Sequence, residues 1–127
     1  MSFRGKALIV DDNIALARVT QFALGRAGFD ARVAGNGHKA LELATADVFD
    51  IVISDQQMPG MTGLELCRRL RSMPEYAATP IILLTAKGLE LELPKIQREL
   101  DINAVFAKPF SPSGVVDTAI QLLSVAV

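Results

Sequence analysis

The strongest constraint on this chain is a repeating alternation. Five short apolar runs, at residues 7–10, 31–34, 51–54, 81–84 and 104–107, are each followed by a longer amphipathic segment. Runs of Ile, Val and Leu without polar alternation suit strands covered on both faces. Strands alternating with helices imply parallel crossovers. The pattern predicts an α/β fold, a doubly wound five-stranded parallel sheet with five helices. Ligands of such a sheet bind at the carboxyl ends of its strands.

The helices carry their own signals. From Asn13, the residues Leu16, Val19, Ala23 and Ala27 predict an inward stripe that Gly28 ends as a left-handed cap. A second helix is expected over residues 39–46, with Ala40, Leu41 and Ala44 inward and His38 solvated in a Gly-rich turn before it. Thr62-Gly63-Leu64-Glu65 is a capping-box sequence and places a third helix start at Thr62, burying Leu66, Cys67 and Leu70. Residues 94–100 predict a short fourth helix, approached through the alternating Leu89, Leu91 and Leu93, a row that suits packing and leaves room for an exposed patch. Ser111-Pro112 opens the fifth as cap and first-turn proline, burying Val116, Ala119, Ile120 and Leu123.

Composition narrows the function classes. At 127 residues, half of them hydrophobic, the chain matches one domain spanning 1–127 and able to bury a sizeable core. A single Cys67 excludes an internal disulfide, and one His excludes a Cys/His zinc site. A net charge of −1 argues against nucleic acid as a direct partner. No apolar run approaches a membrane span, and residues 1–6 carry no signal-peptide core, so the expectation is a cytoplasmic protein without membrane insertion.

The strand ends carry the chemistry. Asp11 and Asp12 follow the first strand, Asp55 the third, Thr85 the fourth and Lys108 the fifth. Taken singly, each is an ordinary cap, turn or surface residue; as a set on one rim they are not. With the first and third strands adjacent, three carboxylates crowd together and require a cation among them. Oxygen-only ligands favour Mg²⁺. An ammonium and a metal around one carboxylate form a cradle for a phosphoryl group, with the carboxylate as nucleophile.

Leu8-Ile9-Val10-Asp11-Asp12-Asn13, Asp50-Ile51-Val52-Ile53-Ser54-Asp55 with Met58-Pro59-Gly60 and Gly63, Leu84-Thr85-Ala86, and Lys108-Pro109-Phe110 resemble the receiver domain of two-component response regulators, the CheY-like family, over essentially the whole chain. The resemblance implies a flavodoxin-like fold with strand order 2-1-3-4-5. It implies a signalling switch rather than an enzyme. Asp55 would be the phosphoacceptor, served by a histidine kinase or phosphotransfer protein. Asp12 and Asp55 would ligate Mg²⁺ directly, Asp11 through water, and Gln57 through its backbone carbonyl. Lys108 and Thr85 would contact the phosphoryl group, and the bond to Pro109 would be cis. Gln57 and Lys87 stand where the family tunes phosphoryl lifetime. Output would pass to a downstream protein or fused effector domain.

Two alternatives belong beside this reading. A degenerate receiver would act only as an interaction module, which the intact acidic, hydroxyl and ammonium set opposes. A haloacid-dehalogenase-type phosphohydrolase also uses Asp and Mg²⁺, but it wants a second Asp where Gln57 stands, and a cap insertion. The chain departs from receivers on one face. Val105 replaces their usual aromatic switch residue, Phe106 falls one place later on the opposite strand face, and Asp101-Ile102 replaces a Gly-Ala pair. Movement of Thr85 is therefore expected to pass through the segment 89–93 and the fourth helix, not through an aromatic flip.

Overall fold

The computed structural model describes residues 3–86 and 93–124. Five parallel strands, β1 (Gly5–Val10), β2 (Phe29–Ala34), β3 (Ile51–Asp55), β4 (Ile81–Thr85) and β5 (Ala104–Ala107), lie in the order β2-β1-β3-β4-β5. Helices α1 (Ile14–Arg26), α2 (Gly37–Ala46), α3 (Gly63–Arg71), α4 (Leu93–Leu100) and α5 (Pro112–Ser124) connect or follow them. The doubly wound parallel α/β sheet expected from the alternation, and the flavodoxin-like strand order that the resemblance implies, are the ones observed.

Strand residues alternate between two cores. Leu8, Val10, Val52, Ile81 and Leu83 pack with α2, α3 and α4 on one side; Ala7, Ile9, Ile51, Ile53, Ile82 and Leu84 pack with α1 and α5 on the other. All of these side chains are buried, which is why the strand runs show no polar alternation.

Most local signals act as expected. Thr62 caps α3 in a full capping box with Glu65, and Leu66, Cys67 and Leu70 are buried. Gly28 has φ +104°, directly after the α1 C-cap Ala27, and its amide closes the turn onto Gly25. Pro112 is the first residue of α5. There Val115 joins Val116 and Ala119 in the core, while Ile120 and Leu123 are half-buried.

Two expectations need correction. The inner stripe of α1 is Ala17, Thr20 and Leu24, one position on from the expected set, and Val19 is exposed. The true stripe is less apolar than the expected one, but Thr20 satisfies its hydroxyl on the Leu16 carbonyl at 3.3 Å and so can be buried. His38 lies in the first turn of α2, not in a preceding turn, because Asn36 caps the helix through the Lys39 amide; it is exposed. A short 3-10 turn, Pro74–Tyr76, stands before β4 with no periodicity in the sequence to announce it. It buries Tyr76, whose hydroxyl donates towards the carbonyls of Ala44 and Asp47 and accepts from the Phe49 amide. Lys87, Leu89 and Leu91 lie outside the described residues, as does the side chain of Leu93.

Candidate functional site

Sheet register assembles the site. Val10 pairs with Ser54, so Asp11, one residue on, emerges beside Asp55. Asp55 pairs with Leu84, and Thr85 pairs with Ala107, so Thr85 and Lys108 emerge next along the same rim. Asp11, Asp12 and Asp55 each offer a carboxylate oxygen, and these oxygens lie within 4.8 Å of one another. Asp11 and Asp55 are buried and Asp12 is exposed, so the cluster opens to solvent on the Asp12 side.

Each buried acid is held by its surroundings. The Asn13 amide donates to Asp11 Oδ1 at 2.9 Å, and the Asp11 amide donates to the Ala34 carbonyl. Burial pushes the Asp11 carboxyl above its usual range; the Asn13 amide opposes this and the nearby Asp55 adds to it. Lys108 Nζ lies 2.9 Å from Asp55 Oδ1. That contact is an ion pair without hydrogen-bond geometry, and among the described residues Oδ1 has no hydrogen-bond partner. A buried carboxylate oxygen with spare lone pairs, beside two further carboxylates, offers the oxygen donors that could hold a hard cation.

Lys108 is directed by the backbone. Its amide donates to the Thr85 carbonyl at 2.9 Å, and the Lys108–Pro109 peptide is cis. Behind Asp55, Gly63 approaches so closely that a Cβ there would lie 2.4 Å from the Asp55 carbonyl oxygen. The Gln56 side chain accepts from the Leu64 amide at 2.8 Å and ties the turn after β3 to the start of α3. Thr85 is buried, with its hydroxyl donating to the Ala86 carbonyl at 3.0 Å. Gln57 donates through Nε2 to Thr85 Oγ1 at 3.3 Å and accepts the Ala86 amide on Oε1 at 3.0 Å.

Asp11, Asp12, Asp55 and Lys108 are thus brought together, and Thr85 stands beside them engaged with Gln57. Val105 and Phe106 face opposite sides of β5. Val105 packs on the core under α3 and α4, and Phe106 on the core under α5, where its ring lies against Gly114. Two contributions were not read from the sequence: the Gln57 side-chain grip on Thr85 and Ala86, and the close packing of Gly63. The second had a signal, since Gly63 opens a helix immediately after a capping Thr with no turn chemistry of its own to require glycine.

Comparison with known proteins agrees with this geometry. A family model described as "Response regulator receiver domain" matches residues 7–120. The chain is 38% identical over 112 residues to the transcriptional regulatory protein ResD of Bacillus subtilis, covering 87% of this chain and 45% of that protein. It is 34% identical over 110 residues to the alkaline phosphatase synthesis transcriptional regulatory protein PhoP of the same organism, covering 87% and 45%. The chain therefore spans about half the length of the curated relatives it matches. Among solved structures, the chemotaxis protein CheY4 of Vibrio cholerae superposes with a TM-score of 0.84 at 32% identity, covering 91% of this chain and 96% of that one. Rim chemistry, sheet order and sequence similarity converge: the chain belongs to the receiver domain family of response regulators.

Proposed function

We propose that this chain is a phosphorylation-operated switch, with Asp55 as phosphoacceptor and a phosphohistidine of a histidine kinase or phosphotransfer protein as donor. The observation that carries the reading is the buried Asp55 carboxylate, paired with Lys108 at 2.9 Å inside a cluster of three acids. An Asp55 oxygen attacks phosphorus, a P–O bond forms, and the P–N bond to the donor imidazole breaks with its electron pair leaving on nitrogen. Lys108 neutralises charge on the transferred group at the rim where it already stands. Asp12 and Asp55 would hold Mg²⁺ directly, Asp11 through water and Gln57 through its carbonyl; bound there, the ion screens the acids from one another and from the incoming phosphoryl oxygens. Thr85 offers a hydroxyl at the neighbouring strand end, whose reorientation would report the phosphoryl group to the rest of the domain.

The intact acid, hydroxyl and ammonium set supports this reading over a degenerate interaction module. Gln57 in place of an acid/base Asp supports it over a phosphohydrolase. No helix among the described residues is long and apolar enough to cross a membrane. The downstream partner we infer is a protein surface or a fused effector domain that distinguishes the two states. The test is modification by acetyl phosphate followed by mass spectrometry. A single acid-labile phosphoryl group should form with Mg²⁺, be absent with chelator, and be absent in Asp55→Asn. Phosphate that persists in Asp55→Asn would overturn the assignment.

A further inference from the structure

Gln57 sits on the exposed turn after β3, yet both polar atoms of its side chain are engaged. Oε1 accepts the Ala86 amide at 3.0 Å and Nε2 donates to Thr85 Oγ1 at 3.3 Å. The Thr85 proton goes to the Ala86 carbonyl at 3.0 Å. These groups form a closed set. The hydroxyl beside Asp55 has its proton committed and a lone pair filled, and the first amide beyond β4 is occupied. Meanwhile the backbone on either side of Thr85 is fixed by the sheet, through the Gln56 amide on the Leu84 carbonyl at 2.8 Å and the Lys108 amide on the Thr85 carbonyl at 2.9 Å. The parts free to rearrange are the Thr85 and Gln57 side chains; the Ala86 N–H lies in the peptide plane that the Lys108 bond fixes, so it can exchange its partner but not its direction.

We infer that Gln57 is a latch, a positioning residue whose side-chain amide holds Thr85 and Ala86 in the resting arrangement and competes with the phosphoryl group for both. This rests on the phosphoacceptor reading above. A primary amide presents an acceptor and a donor at fork spacing, matching the N–H of one residue and the hydroxyl oxygen of the one before it. A charged phosphoryl oxygen is the stronger acceptor. When it arrives, the Ala86 N–H leaves Gln57 Oε1 for phosphoryl oxygen, the Thr85 O–H leaves the Ala86 carbonyl for phosphoryl oxygen, and the Gln57 amide goes to water. No bond beyond hydrogen bonds changes in this exchange. Because the competent arrangement is only a fraction of the resting population, the latch lowers apparent affinity for a phosphoryl group by that fraction. It also favours return to the resting arrangement once the phosphoryl group is lost.

The test compares wild type with Gln57→Met, which keeps the length and backbone carbonyl but not the polar atoms, and Gln57→Asn, which keeps the chemistry but is one methylene too short. In the unmodified protein, both variants should lose hydrogen-exchange protection at the Ala86 amide and shift its ¹⁵N resonance towards the value seen with beryllofluoride and Mg²⁺. Apparent affinity for beryllofluoride should rise about fivefold in both, the effect expected for losing about one net neutral hydrogen bond. Unchanged Ala86 protection, or unchanged beryllofluoride affinity, in variants that still bind it overturns the latch alone. Failure of wild-type protein to bind beryllofluoride with Mg²⁺ overturns the phosphoacceptor reading and the competition with it.

Discussion

Gly63 shows how narrowly the strand that ends in Asp55 is placed. A Cβ at this position would meet the Asp55 carbonyl oxygen at 2.4 Å and Gln56 Cα at 3.0 Å, both backbone and so unable to swing aside. Gly63→Ala should destabilise the fold by about 2 kcal/mol, as an overpacking change does, and slow phosphorylation by acetyl phosphate because the relief must move Asp55 or α3. Gly25→Ala is the control. It lies within α1 with nothing inside 4 Å of its Cβ, so the change should stabilise by up to about 1 kcal/mol through helix propensity and leave phosphorylation unaltered. Urea denaturation of both variants checks the pair. Equal effects at the two sites would show that helix propensity, not the contact with Asp55, governs Gly63.

The elements differ in how plainly they were written. β3, β4, β5 and α3 followed directly from apolar runs and a capping box, and the acids and Lys108 followed because strand ends share a rim. Helix α1 misled, because its inner face uses Ala17 and Thr20 while Val19 and Phe22 stand in solvent; no periodicity measure favours burying a threonine over a valine. Tyr76 and the Gln57 grip were illegible for another reason. Each depends on partners 27 to 32 or 28 to 29 residues away, which only the folded register brings together. That exposed face of α1 begins beside the acidic rim, and Ile14, Val19 and Phe22 on it are 42%, 53% and 67% exposed, with Arg26 over the Phe22 ring at 5.9 Å. If the phosphodonor protein docks there, Phe22→Asp should slow transfer from a phosphohistidine protein at least about tenfold, the loss of one interface anchor, while acetyl phosphate reacts as before. Equal slowing of both donors would exclude docking at this face. On α3, burial raises the Cys67 thiol from 9.0 to about 11. An acid held protonated in the fold contributes fully below its unfolded pKa. That contribution falls away as pH climbs from 9 towards 11, by about 2–3 kcal/mol in total. Cys67→Val should flatten that part of the stability profile relative to wild type; coincident slopes for the two proteins would contradict the burial argument.

At the scale of the whole molecule, the core under α2, α3 and α4 is closed at the corner where α3, the 3-10 turn and α4 meet, and the tie there is Arg71. From the end of α3, its Nε donates to the Leu100 carbonyl at 2.8 Å. Its Nη1 donates to the carbonyls of Tyr76 and Thr79 at 2.7 and 2.8 Å, and its Nη2 to that of Asp101 at 2.8 Å. One planar guanidinium thus satisfies carbonyls from the 3-10 turn, the approach to β4 and the end of α4, where Asp101 adopts a left-handed φ of 52°. If movement of Thr85 passes through α4, fixing this end of the helix defines how its other end moves. The Ile102 amide on the Gln97 carbonyl at 3.2 Å and the Asn103 amide on the Ile81 carbonyl at 3.0 Å continue the anchorage into β5. Arg71→Ala leaves four carbonyls without this donor and should destabilise by about 3 kcal/mol in urea denaturation. Arg71→Lys should recover little, because an ammonium cannot reach along a fork to both Leu100 and Tyr76. Amide exchange should locate the damage, with faster exchange at Ile102 and Asn103 and none at β1 or β2 below the global unfolding limit. Stability in Arg71→Lys equal to wild type would show that charge alone suffices at this corner, and that the guanidinium geometry does not hold α4.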